Sequence, residues 1–126
     1  MIERQHVIAV VDDDQRILES LQDLLESVGY AVLTFTEATG LLAHEHMPVD
    51  CLITDIGMPG MDGFDLLEAV KQSNPSLPVF LITGRHEIAD QQRAAARNIS
   101  GIFRKPFDTR RLLSEVSKAL HQFDGG

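Results

Sequence analysis

Apolar residues arrive along this chain in two alternating rhythms. Short, largely apolar runs occur at Val7 to Val11, Tyr30 to Phe35, Cys51 to Ile53, Leu77 to Gly84 and Gly101 to Phe103. Runs of this kind, bounded by acids, glycine or proline, read as strands buried on both faces. Between them the period changes to three and four. Ile17, Leu18, Leu21, Leu24, Leu25 and Val28 mark a first helix, with Asp14 as its N-cap and Gly29 just past its end. Glu37 to about His46 reads as a second, shorter helix. Phe64, Leu66, Leu67 and Val70 mark a third, which ends by Ser73-Asn74-Pro75 because the residue before a proline is biased out of helical geometry. Glu87 to Arg97 is helical by composition, but its stripe of Ile88, Ala89, Gln92, Ala95 and Ala96 is weak, so its hold on a core is light. Asn98 is expected to close that helix in the left-handed conformation. Leu112, Leu113, Val116, Ala119 and Leu120 line a last helix.

Five strands alternating with five helices predict an α/β fold: a doubly wound, five-stranded parallel sheet with right-handed crossovers and helices on both faces. In the flavodoxin-like order 2-1-3-4-5, strands one and three meet at the topological switch point, where ligands of such sheets bind. The length of 126 residues predicts one domain, with a structured core over about 7–121 and a tail or the start of a linker over 122–126.

Composition narrows the function. A formal net charge of −8 argues against direct nucleic-acid contact by this segment, because a phosphate backbone rewards a basic face. No apolar run approaches the roughly 20 residues that span a bilayer, and the first six residues lack a signal-peptide pattern, so a cytoplasmic location is expected. The single cysteine, Cys51, lies within an apolar strand and reads as a small buried hydrophobe. The five histidines have no zinc-site spacing.

The chemistry gathers at strand ends. The first strand stops at Asp12-Asp13-Asp14 and the third at Asp55, which opens the loop Ile56-Gly57-Met58-Pro59-Gly60-Met61-Asp62-Gly63. The order 2-1-3-4-5 brings Asp12 and Asp13 beside Asp55, with Thr83 and Lys105 on the same rim. Two unit charges about 4 Å apart repel by about 4 kcal/mol at an effective dielectric near 20. Such a cluster therefore either protonates one carboxylate or holds a hard divalent cation, and an open, hydrated rim suits Mg²⁺. A cation, an ammonium group and a hydroxyl together are what an incoming phosphoryl group needs. A carboxylate can accept that group as an acyl phosphate, and Asp55 is central to the others. Asp14 reads as a cap rather than a ligand, and Met58, Met61 and Phe64 as packing residues.

Val10-Val11-Asp12-Asp13-Asp14, Leu52 to Gly63, Leu81-Ile82-Thr83-Gly84 and Lys105-Pro106-Phe107 together resemble the signature segments of response-regulator receiver domains. The resemblance runs from about Val7 to Leu120. It implies that Asp55 is phosphorylated from the phosphohistidine of a sensor kinase or phosphotransfer protein. It also implies that Asp12, Asp13, Asp55 and the Gly57 carbonyl hold Mg²⁺, that Thr83 and Lys105 bind the phosphoryl oxygens, and that the Lys105-Pro106 bond is cis. Catalysis is then limited to making and losing an aspartyl phosphate, and the output is a changed partner surface near the fourth helix, fifth strand and fifth helix. A downstream protein, an attached output domain or a phosphorylation-dependent dimer are the partners it implies.

Two departures qualify that expectation. The position of the usual switching Tyr or Phe holds Ile102, with Phe103 beside it, so coupling from Thr83 falls to Phe103, to the lightly held fourth helix or to another rearrangement. Gly57 and Arg85 stand where the family tunes dephosphorylation. Other readings remain: the front portion of a DNA-binding transcriptional regulator, or a degenerate receiver that binds partners without phosphate. An aspartyl-nucleophile phosphatase is disfavoured by Gly57, where a second acid belongs, and a flavin protein by acids that would repel the cofactor phosphate.

Overall fold

The computed structural model describes residues 5–44, 48–84 and 88–123. Its order is β1 (Val7–Val11), α1 (Gln15–Ser27), β2 (Ala31–Phe35), α2 (Ala38–Leu42), β3 (Cys51–Asp55), α3 (Gly63–Ser73), β4 (Val79–Thr83), α4 (Ile88–Ala95), β5 (Gly101–Arg104) and α5 (Thr109–Phe123). The strands form one parallel sheet in the order β2-β1-β3-β4-β5, as the alternation predicts. Every residue of β1, β3 and β4 is buried. That is the burial expected of central parallel strands covered on both faces, and it explains their nearly unbroken apolar runs.

Alternate residues serve two cores. Ala9, Val11, Leu52, Val79 and Leu81 face Ala38, Leu41, Phe64, Leu67, Val70 and Ala94 of α2, α3 and α4. Ile8, Val10, Cys51, Ile53, Phe80, Ile82 and Phe103 face Leu18, Leu21, Leu25, Leu112, Val116 and Leu120 of α1 and α5. Helix α1 starts where Asp14 Oδ1 accepts the Arg16 N–H at 2.9 Å, and it ends before Gly29, whose φ of 101° needs a residue without a Cβ. Helix α3 starts in a full capping box: Asp62 Oδ1 accepts the Asp65 N–H at 2.9 Å and Asp65 Oδ2 accepts the Asp62 N–H at 3.2 Å.

Several expectations are corrected. Val28 is 51% exposed, so the apolar stripe of α1 stops at Leu25. Helix α2 is only five residues long, with His44 beyond its end, while His46 lies outside the described residues. Strand β4 begins at Val79, two residues after the apolar run does. Among the described side chains of α4 Ala94 is buried, whereas Gln92 and Ala95, and Ala96 just past the helix, are exposed; those of Ile88 and Ala89 lie outside the description. Asn98 is not left-handed, since no described residue except glycine has positive φ. The chain leaves α4 instead through Arg97 N–H to Ala94 and Ile99 N–H to Arg97 carbonyl bonds, which turn it without that conformation.

Candidate functional site

Parallel strands point their carboxyl ends the same way, so the last residues of β1, β3, β4 and β5 share one rim. Register fixes which meet: Val11 pairs with Thr54, Asp55 with Ile82, and Thr83 with Arg104. Asp12, just past β1, therefore stands beside Asp55, and Lys105 stands beside Thr83. The backbone ties the rim together through Asp12 N–H to Phe35 O at 3.1 Å, Ile56 N–H to Ile82 O at 2.9 Å and Lys105 N–H to Thr83 O at 2.7 Å.

Ligand oxygens of Asp12, Asp13 and Asp55 lie within 4.8 Å of one another, and no other His, Cys, Asp or Glu trio among the described residues is so arranged. Asp12 is wholly buried, Asp55 nearly so, and Asp13 exposed. The Lys105 ammonium lies 2.8 Å from Asp12 Oδ2 and 3.6 Å from Asp55 Oδ1. Apart from that ion pair the buried Asp12 Oδ2 has no partner, so it keeps an unused acceptor site. Asp12 Oδ1 accepts the Asp14 N–H at 2.9 Å, which aims the carboxylate across the rim. Asp14 itself is turned outward to Arg16, and its hydrogen bonds there hold its carboxyl below the usual range, so it is a cap as expected.

Burial raises the pKa of Asp55, and the neighbouring Asp12 and, less strongly, Asp13 add to the rise. Lys105 and the Gly57 backbone N–H, which donates to the carboxylate, act against it. Burial pulls the Lys105 ammonium down, but Asp12 and Asp55 outweigh it and hold its pKa above the ordinary value. The ammonium group thus stays charged between the two acids.

Asp55, Gly57, Thr83, Gly84 and Lys105 line a cavity of about 230 Å³. An acceptor carboxylate, a buried hydroxyl-bearing residue and an ammonium group thereby share one opening. The donor set fits a hard cation: it is all oxygen, it carries excess negative charge, and Asp12 Oδ2 has an unused acceptor site. The acidic cluster is therefore able to coordinate a divalent metal.

The response regulator receiver domain model matches residues 8–117. The chain belongs to this family. Receiver domains are switched by phosphorylation of an aspartate in two-component signalling, and their catalysis is confined to forming and losing that aspartyl phosphate. The chain is 32% identical over 116 residues to the transcriptional regulatory protein FixJ of Bradyrhizobium diazoefficiens, covering 91% of this chain and 57% of FixJ. It is 33% identical over 121 residues to the response regulator protein TmoT of Ectopseudomonas mendocina, covering 95% of this chain and 55% of TmoT. It thus spans about half the length of the curated relatives it matches. The signal receiver domain of an HD domain-containing protein from Pseudomonas fluorescens superposes with a TM-score of 0.88 at 31% identity, over 99% of this chain and 93% of that one. Membership brings histidine kinases or phosphotransfer proteins and downstream effectors as the classes of partner with which such domains communicate. No described helix is long and apolar enough to cross a membrane.

The fold brings Asp12, Asp13, Asp55, Gly57, Thr83 and Lys105 to one rim, and the Lys105-Pro106 bond is cis. It separates the two expected switch residues of β5. Ile102 pairs with Leu81 and packs against the core under α3 and α4, on the sheet face that Thr83 shares. Phe103 points the other way, buried against Phe80 at 5.9 Å between ring centroids and covered by the Arg111 guanidinium at 4.9 Å. Arg85 lies outside the described residues. Sequence reasoning treated Phe64 only as packing and passed over Arg93 and Arg97, which sit on its ring. The spacing of four between the two arginines, at the close of a segment expected to be helical, was the available signal.

Proposed function

We propose that Asp55 is the phosphoacceptor of a Mg²⁺-dependent switch in a two-component phosphorelay. The observation that supports this most directly is the position of the Asp55 carboxylate, within one cavity with Thr83 and Lys105 and within ligand distance of Asp12 and Asp13. An Asp55 carboxylate oxygen attacks the phosphorus of a phosphohistidine, the P–N bond breaks, and the imidazole leaves with the bonding pair and takes a proton. Lys105 holds one phosphoryl oxygen by charge and Thr83 another by its hydroxyl. Hydrolysis reverses the modification: a water oxygen attacks phosphorus, the P–O bond to Asp55 breaks, and the carboxylate and inorganic phosphate are released. Mg²⁺ held by Asp12, Asp13, Asp55 and the Gly57 carbonyl would offset the charge of the carboxylates and of the incoming phosphoryl oxygens.

Residues 1–126 form one receiver domain in this reading, working in the cytoplasm, with a sensor kinase or phosphotransfer protein as donor. The chain covers about half of FixJ and TmoT, which favours an output carried by a further segment or a separate protein. With a net charge of −8, this segment acts on such an output rather than on nucleic acid directly.

Intact mass after incubation with acetyl phosphate tests the assignment. A gain of one phosphoryl group that requires Mg²⁺ and is absent from Asp55→Asn is expected. Equal phosphorylation of Asp55→Asn would move the acceptor elsewhere, and no gain by the folded wild type would favour a phosphate-independent binding module.

A further inference from the structure

The described side chains of α4 offer the core little apolar contact. Ala94 is the buried residue of its described side chains, while Gln92, Arg93 and Ala95 are exposed. A polar clasp ties the end of this segment to α3. The Arg93 guanidinium lies 4.1 Å from the centroid of the buried Phe64 ring, and that of Arg97 lies 5.5 Å from the same centroid. Arg97 Nη2 also donates to Glu68 Oε1 at 3.2 Å, and its Nη1 donates to the Arg93 carbonyl at 3.2 Å. Phe64 and Glu68 are four apart on one face of α3, and they meet Arg93 of α4 and Arg97 two residues past its end. The clasp is incompletely satisfied, because Arg97 Nε is buried without a hydrogen-bond partner. A contact of this kind fixes position yet releases at modest cost.

Both sides of the clasp lead back to Asp55. Phe64 follows Gly63, whose N–H donates to the Ile56 carbonyl at 3.0 Å and whose Cα is pressed against the Asp55 carbonyl. Helix α4 follows β4, whose last residue, Thr83, lines the Asp55 cavity. The aromatic residue of β5 has no part in this path, since Phe103 is pinned on the opposite face by Phe80 and Arg111.

We infer that Arg93 and Arg97, gripping Phe64 and Glu68, form a latch that holds α4 in its resting position and is released when Thr83 is drawn to a phosphoryl group on Asp55. The inference rests on the phosphoacceptor reading and names how that site reaches its output surface. Because the latch is made in the resting state and lost in the phosphorylated one, linkage requires that removing it favours phosphorylation.

Hydrogen exchange and acetyl phosphate kinetics on Arg93→Gln/Arg97→Gln test it, with Glu68→Gln as an exposed second variant that leaves the core untouched. In the resting double variant, amides of α4 are expected to exchange faster while those of β1 and β3 keep wild-type protection. Aspartyl phosphate should form about 3- to 10-fold faster than in wild type, the range expected for a coupling contact. Glu68→Gln should shift both readings the same way by less, and phosphorylated wild type should show the α4 loosening without mutation. Unchanged α4 exchange and unchanged rate in the double variant would overturn the latch, as would equal α4 protection in resting and phosphorylated wild type. Failure of the wild type to gain a phosphoryl group would instead overturn the phosphoacceptor reading, and the resting-state exchange would still report whether the clasp holds α4.

Discussion

Gly63 packs its Cα against the carbonyl of Asp55 so closely that a methyl group there would overlap the oxygen. The same methyl would stand 2.9 Å from the Ile56 Cα, and neither obstacle is a flexible side chain. The first residue of α3 is thereby locked to the backbone of the acceptor strand.

Gly63→Ala follows from that contact. Alanine is the better helix former by about 1 kcal/mol, but overpacking against fixed backbone costs about 1–3 kcal/mol. Since the β3 backbone is held in the centre of the sheet, the clash should win and urea denaturation should show a net loss of about 1–2 kcal/mol. A variant as stable as wild type would mean that the β3–α3 loop moves freely against Asp55.

Much of the fold was legible because its central strands are buried on both faces and therefore carry apolar runs that end where the sheet ends. The acids at those ends, Asp12, Asp13 and Asp55, could be assigned to one rim from strand order alone. What was not legible depends on partners that leave no period in the sequence. Arg93 and Arg97 belong to no apolar stripe, and their placement follows from the Phe64 ring and, for Arg97, from Glu68. Ile102 and Phe103 are adjacent, so they must face opposite ways in a strand, but which of them shares a face with Thr83 follows from pairing register. The close approach of Gly63 to Asp55 was hidden for the same reason, since glycine in a loop also serves ordinary turns.

Lys105 is the positive charge between the two buried acids, and its removal should be felt in rate and in stability. Lys105→Met is expected to slow phosphorylation by acetyl phosphate about 100-fold, the scale of losing one charge-stabilising group in an enclosed site. The same variant leaves Asp12 and Asp55 to face each other without the ammonium group at 2.8 and 3.6 Å. Added Mg²⁺ should therefore raise its melting temperature more than that of wild type. Equal increments in the two proteins would show that Lys105 and the cation do not share the work of neutralising the cluster.

Protons and metal should compete at Asp55. Its raised pKa means that the folded metal-free chain retains a proton that the unfolded chain, with an ordinary aspartate value near 3.9, has already lost. The stability from that proton is complete below the unfolded value and is lost as pH rises through the folded one. Without Mg²⁺, Asp55→Asn should remove this contribution to the pH dependence in the window that opens above the unfolded value of about 3.9. With Mg²⁺, which requires the carboxylate ionised, affinity should rise with pH over the same window. Denaturant titrations with and without Mg²⁺ measure both slopes, and a metal affinity that falls with rising pH would contradict the assignment of Asp55 to the cluster.

Cys51 supplies an internal reporter of the whole sheet. It is fully buried in β3, paired with Ile8 across β1, and burial drives its thiol pKa far above the ordinary value, with the Asp50 charge adding to the effect. A thiolate is the reactive form, so both access and ionisation are denied in the native state. Labelling by a thiol reagent should consequently proceed only through opening of the central strands, at least about a thousandfold more slowly than in the urea-unfolded chain. Its rate should rise in parallel with the loss of stability in Gly63→Ala, because both depend on the seating of β3. In Arg93→Gln/Arg97→Gln it should stay at the wild-type value, since α4 can loosen while β1 and β3 remain paired. A labelling rate near that of the unfolded chain would place Cys51 outside the core and contradict the burial of β3.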